Sequence, residues 1–194
     1  MHYFIIAGEA SGDLHASQLI EALRASDSEA RFTFLGGDMM ASAAGNRPII
    51  HYRDMAYMGF SEVLRHLPEV LGNLRTAKHE LLKSKPDAFI AVDYPSFNLK
   101  VARTAAKAEV PVFYYISPKL WAWKSWRVKE IRRTVRRVLA IFPFEPQWYA
   151  DHGFRADYVG NPSVAEIGAA MKAAPSREDF LREHGLRDRP IIAL

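Results

Sequence analysis

The residues of this chain able to do chemistry gather in a few short segments. The sharpest is Asp93 in Ala91-Val92-Asp93-Tyr94-Pro95-Ser96-Phe97-Asn98, set directly after the apolar run Phe89 to Val92. A carboxylate at the carboxyl end of a parallel strand faces a crevice rather than the core, where it can take a proton from an acceptor hydroxyl. From spacing alone the same residue reads equally well as a turn or helix-capping aspartate. A second segment, Gly8-Glu9-Ala10-Ser11-Gly12-Asp13, lies between the first apolar run and the first amphipathic stretch. Its small residues let a ligand approach the backbone, Ser11 is expected to cap the helix, and amides at a helix start suit a phosphate or a sugar hydroxyl. An ordinary capped turn is the plainer alternative. The G-x-G-x-x-G fingerprint is absent and two acids in the loop repel a diphosphate, which disfavours a nicotinamide-dependent oxidoreductase.

The third segment holds Trp121, Trp123 and Trp126, followed by Arg127, Lys129, Arg132, Arg133, Arg136 and Arg137. Val128, Ile131, Val135 and Val138 recur at helical spacing, which predicts a helix with one apolar side and otherwise basic faces. Such a segment can stack on a base or sugar, sit at a membrane interface, or bind nucleic acid through its cations, and a solvated basic face is the plainer reading. The fourth is the apolar set Met58, Gly59, Phe60, Val63, Leu64, Leu67, Val70 and Leu71, which reads as a core-facing helix or, more sharply, as a lipid contact. The seven histidines are scattered, with no H-E-x-x-H and no carboxylate cluster at ligand spacing, so no metal is expected. No serine lies in G-x-S-x-G.

Strand-length apolar runs alternate with amphipathic stretches: His2 to Ala7, Arg31 to Leu35, Pro48 to His51, Ala88 to Val92, Val112 to Ile116, Val138 to Phe142 and Tyr158 to Val159. Several lack polar alternation, as strands covered on both faces do, so the expected fold is α/β with a doubly wound, Rossmann-like parallel sheet. Leu14 to Ala25 and Asn98 to Glu109 are expected crossover helices. Pro68 and Gly72 are expected to break the stretch from Met58 to Ser84 into two pieces. Residues 1–165 read as one domain, 166–189 as a connection, and 190–194 as the first strand of a further α/β unit.

With 194 residues and 49% hydrophobic content the chain can bury one substantial core. The absence of cysteine excludes disulfides and thiolate metal sites, and a cytoplasmic home fits. The apolar start is too short to span a membrane and lacks a basic lead, so it reads as a buried strand. The net charge of +4 is compatible with nucleic acid, an anionic membrane surface or a phosphorylated substrate.

In this order, the segments AGEASGD, MGFSEVLRHLP, DYPSFN, YYISPKLWAWKSWRVKEI, LAIFPFE and YVGNP resemble the signature blocks of the lipid-A-disaccharide synthases. The resemblance runs from about Ile6 to Pro162. It implies the amino-terminal half of a GT-B glycosyltransferase, a fold of two Rossmann-like domains with the active site between them. Such an enzyme joins UDP-2,3-diacylglucosamine to 2,3-diacylglucosamine 1-phosphate (lipid X), releasing UDP and inverting the anomeric centre without metal or cofactor. It works peripherally on the anionic cytoplasmic face of the inner membrane in Gram-negative bacteria. By the same resemblance Asp93 is the catalytic base. Gly8, Glu9, Ser11, Gly12, Asp13, Asn98, Ser117, Trp123, Arg127 and Asn161 fall in the blocks expected to contact substrate, and Met58, Phe60, Val63, Leu64, Leu67 and Leu71 in the region of membrane and acyl-chain contact. Ser96 stands where many relatives carry a second aspartate, so no paired-carboxylate mechanism is expected. Asn161 stands where many carry histidine.

Overall fold

Strand β1 (His2–Ala7) is buried along nearly its whole length and pairs in parallel on both sides, with β2 (Arg31–Leu35) and β3 (Ala88–Val92). β4 (Val112–Tyr115), β5 (Arg137–Ala140) and β6 (Ala156–Tyr158) extend the sheet to the order β2-β1-β3-β4-β5-β6. The computed structural model describes residues 1–55 and 66–192. Alternate strand residues feed opposite cores, as the pleat requires. Phe4, Ile6, Phe89 and Ala91 pack beneath α3 (Leu67–Ser84), α4 (Pro95–Lys107) and α5 (Val128–Thr134). Tyr3, Ile5, Ala7, Ile90 and Val92 pack against α1 (Ala10–Ser26) and α2 (Asp38–Ala44). Each fully buried Phe or Ile removes enough apolar surface to contribute roughly 1.5–3 kcal/mol, so a strand apolar on both faces is stable only where helices cover both.

The strand order reverses between β1 and β3, and a doubly wound sheet opens a crevice at such a switch point, beyond the carboxyl ends of the strands. The register places Ala7 beside Val92 and Val92 beside Tyr115. The residues that follow, Gly8, Asp93 and Ile116, therefore leave the sheet side by side.

Three expectations are corrected. Pro48 to His51 is not a strand: a single bridge joins His51 to Gly36, and Pro48, with no N–H, cannot extend a ladder. Gly72 does not break Leu67 to Ser84, where it sits in open space within a continuous helix; Pro68 stands in the first turn of that helix, where proline gives up no intrahelical bond, and residues 56–65 before it lie outside the described residues. The basic helix ends at Thr134, where Val135 turns extended and Val138 enters β5, so its cations do not form one stripe. Arg137 instead pairs with Asp157 across β5 and β6 at 2.9 Å.

α6 (Glu145–Asp151), which precedes β6, is the last helix of the first compact unit, Met1–Gly160. The second, Asn161–Leu194, holds α7 (Pro162–Ala173) and α8 (Arg177–Glu183). Residues 190–192 are not in a strand.

Candidate functional site

Asp93 sits at the mouth of β3 in a backbone conformation that few side chains accept. Its φ is 43° and that of Tyr94 is 46°, two consecutive left-handed residues, while next door Ile116 at the end of β4 has φ 55°. A β-branched residue there is strained by of order 1–3 kcal/mol, and such strain persists only where the surroundings over-determine it. The surroundings here are a buried clamp. The Tyr114 hydroxyl donates to the Asp93 carbonyl at 2.7 Å, the Asn98 Nδ2 donates to the same carbonyl at 2.8 Å and to the Val92 carbonyl at 3.2 Å, and the Asp93 N–H donates to the Tyr115 carbonyl at 3.2 Å. Burial holds the Tyr114 hydroxyl far above its ordinary pKa, so it stays a neutral donor.

The clamp grips the main chain of Asp93 and leaves its carboxylate to the crevice. The half-buried side chain lines a groove of about 250 Å³ with Pro118, Lys119, Leu120, Trp123, Lys124 and Arg127. Burial, reinforced by the nearby Glu9 carboxylate, raises its pKa above the ordinary aspartate value, while Lys119 and the Tyr94 N–H pull the other way. A carboxylate with a raised pKa that opens into a groove is suited to general-base work.

Gly8 is required by the same construction. A Cβ at Gly8 would lie 2.3 Å from Cγ of Tyr94, whose ring covers the glycine and whose hydroxyl donates to the Met55 carbonyl at 2.8 Å. Replacing Gly8 with Ala is expected to cost about 1–3 kcal/mol by overpacking and to displace the Tyr94 ring beside Asp93. Thermal unfolding checks this, and an unchanged melting temperature would show that the ring is free to move. On the far side of Pro95, Met55, Val70, Leu74, Tyr94 and Phe97 line a second, mostly apolar groove of about 270 Å³.

The tryptophans divide. Trp121 is anchored: its Nε1 donates to Glu145 Oε1 at 3.3 Å, and its ring meets those of Phe142 and Phe144 edge-on. The buried Glu145 also accepts from the Ile141 and Phe142 N–H groups at 3.1 and 3.0 Å, so one carboxylate fixes both the LAIFPFE loop and the WAW segment. Trp123 and Trp126 remain 64% and 66% exposed.

Several expected ligand contacts are corrected. Asp13 is 2% exposed, and its carboxylate accepts from the N–H groups of Gly37, Met39 and Met40 at 2.7, 3.1 and 3.2 Å. It caps α2 and has no path to the crevice. Gly12 is buried against Ala7. Asn98 is fully buried within the clamp, and Ser117 is buried beside the clamp strand, so neither reaches the groove. Ser11 is not the N-cap: helix α1 begins at Ala10, with Glu9 in the capping position, and the exposed Ser11 hydroxyl donates to Glu9 Oε1 at 2.7 Å. Asn161 belongs to the second unit, where its side chain accepts from the Ser163 N–H and caps α7. The crevice thus brings together Glu9, Asp93, Trp123 and Arg127 from the expected set, while Gly8 is buried beneath the Tyr94 ring. Tyr114, Ile116, Lys119, Lys124 and Glu145 were missed. The lysines flank the tryptophans, whereas nothing in the sequence marks Tyr114 as other than a strand residue.

Leu67 and Leu71 stand exposed one turn apart on α3. Met58, Phe60, Val63 and Leu64 lie outside the described residues. Among the described residues no helix is long and apolar enough to cross a membrane.

Solved structures with this architecture include a UDP-GlcNAc 2-epimerase from Neisseria meningitidis bound to UDP-GlcNAc, with a TM-score of 0.65 over 94% of this chain and 52% of that one, at 10% identity. A UDP-N-acetylglucosamine 2-epimerase from Rickettsia bellii gives a TM-score of 0.62 over 96% and 52%, at 13% identity. At this identity the likeness concerns the fold alone. Sequence likeness goes further. The chain is 46% identical to a lipid-A-disaccharide synthase of Acidobacterium capsulatum over 90% of its own length and 46% of that relative. It is 45% identical to one from Neisseria meningitidis over 98% of its length and 48% of the relative, so it spans about half of the curated proteins it matches. The family described as Lipid-A-disaccharide synthetase matches residues 3–193, and with that match, together with the segments that build the Asp93 crevice, the chain belongs to the lipid-A-disaccharide synthetase family.

Proposed function

We propose that this chain is the acceptor-side half of a GT-B glycosyltransferase that condenses UDP-2,3-diacylglucosamine with 2,3-diacylglucosamine 1-phosphate. Residues 1–165 form the acceptor domain in this reading, 166–189 the connection and 190–194 the start of the donor domain. The observation that carries it is the Asp93 carboxylate, held at the switch point of the sheet by a clamp that spends itself on the main chain. Asp93 accepts the proton of the attacking acceptor hydroxyl as the oxygen displaces UDP from the opposite face of the donor sugar. The half-buried setting keeps water from competing for that proton, and Glu9 borders the acceptor.

The apolar groove beyond Pro95 supports a lipid acceptor, because an acyl chain entering there would leave the sugar beside Asp93. Exposed Leu67 and Leu71, with Met58, Phe60, Val63 and Leu64, are the membrane-contact set of this reading, and the enzyme works peripherally on the anionic cytoplasmic face of the inner membrane.

The test is a chimera in which this chain replaces the matching half of the Neisseria meningitidis relative. Given both diacylated sugars, it should form disaccharide and release UDP in equal amounts. A folded chimera that releases UDP without disaccharide, or forms neither, would remove the proposal.

A further inference from the structure

Three cations line the Asp93 groove, and among the described residues none of them is held in an ion pair. Elsewhere in the chain arginines are engaged by carboxylates: Arg103 by Glu130, Arg137 by Asp157, Arg177 by Asp188 and Arg182 by Asp179. Among the described residues Lys119, Lys124 and Arg127 have no carboxylate within ion-pairing distance. They lean on aromatic faces instead. Lys124 Nζ lies 4.2 Å from the Trp123 ring centre, the Arg127 guanidinium carbon 5.5 Å from that of Trp126, and Lys119 Nζ 6.0 Å from that of Phe142. A cation held over a ring keeps its N–H donors available, and its side chain is ordered before a ligand arrives. Lys124 is also one of the few residues other than glycine with a left-handed backbone, φ 57°, and that bend sets it and Trp123 at the groove.

We infer that Lys119, Lys124 and Arg127 form a subsite for a phosphomonoester carried by the sugar whose hydroxyl Asp93 deprotonates, with the exposed Trp123 indole as the platform for that sugar's ring.

The charge fits. Three cations face a single carboxylate within the groove, and a phosphomonoester at neutral pH carries about −1.5 to −2, enough to match the excess. The geometry assigns the anion to the acceptor. Whatever sits in this groove touches the base, and in an inverting displacement the base lies on the side of the attacking hydroxyl, opposite the departing diphosphate. The volume of about 250 Å³ falls just below the range of small-molecule pockets, roughly 300–1,000 Å³, so it suits a sugar phosphate headgroup and sends any acyl chain elsewhere. This assignment rests on the reading of Asp93 as the base that faces the acceptor.

The experiment measures binding of N-acetylglucosamine 1-phosphate and of neutral N-acetylglucosamine to the chain at fixed ionic strength, followed by tryptophan fluorescence. The phosphate should bind at least about tenfold more tightly. Lys119→Gln, Lys124→Gln and Arg127→Gln should each weaken the phosphate roughly five- to tenfold and leave the neutral sugar unchanged, whereas Lys119→Arg should retain most of the affinity. Unaltered melting temperatures confirm that these surface variants fold. Asp93→Asn should bind the phosphate as well as the parent chain or better, since it removes a like charge. Loss of transfer with binding retained therefore separates failure of the base from failure of this subsite. A parallel arm uses phosphatidylglycerol–phosphatidylcholine vesicles. Equal affinity for the two sugars would overturn the inference. So would Gln variants that lose the vesicles but keep the sugar phosphate, which would turn the three cations toward the bilayer.

Discussion

Asp93→Asn in the chimeric enzyme is expected to lower kcat/KM about 10²- to 10⁴-fold while the protein stays folded. Asparagine is nearly isosteric and is among the residues that best tolerate a left-handed backbone, so the clamp from Tyr114 and Asn98 to the residue 93 carbonyl survives the change. What disappears is only the ability to accept a proton. Stability should move the other way. Because the folded protein holds the Asp93 pKa above its ordinary value, the native state keeps its proton in a pH window where the unfolded chain has already lost it. Stability therefore falls as pH rises from the ordinary aspartate value through the raised one, and the penalty persists at neutral pH. Removing the charge should leave the melting temperature at neutral pH equal or higher. A variant that loses activity only because it unfolds would argue against the general-base role.

Asp13→Ala should have the largest effect on stability and the least on chemistry. Three N–H groups at the start of α2 point at one buried carboxylate. Its loss leaves them unpaired in the core, at a cost of roughly 3–5 kcal/mol, a large part of a domain's stability. The packing leaves little room to relax. A Cβ on Gly37 would already meet Asp13 Oδ2 at 2.6 Å and the Tyr52 ring at 2.3 Å. Urea or thermal unfolding should show the loss, while the fraction that remains folded binds N-acetylglucosamine 1-phosphate as before. Weakened binding at unchanged stability would return Asp13 to the crevice.

The contrast between these two aspartates explains how far the sequence could be read. Asp93 follows a run of residues buried on both faces, and such a run announces both the strand and its end, so the position of the carboxylate was legible. Asp13 lies six residues past the end of β1 in a loop-like string of small residues. Only the early start of α1 at Ala10 turns it inward, and its partners stand 24 to 27 residues away, where local pattern carries no information. Asn98 misled for a related reason: a polar residue next to a ligand loop looks like a ligand contact, yet it serves the backbone of that loop. The Val128 to Val138 stretch misled because spacing of three and four also fits a short helix followed by a strand, and Val135 is where one gives way to the other. The sheet order, which makes the space between β1 and β3 the crevice, rests on pairings distant in sequence.

The most direct measurement is the pH dependence of kcat/KM for disaccharide formation, set beside the carboxyl titration of Asp93 followed by NMR in the same protein. The account predicts an acid limb along which activity rises with pH, with its midpoint at the Asp93 titration and above the ordinary aspartate value, and the loss of that limb in Asp93→Asn. An acid limb that persists in the variant, or an Asp93 that titrates well away from the limb, would contradict it.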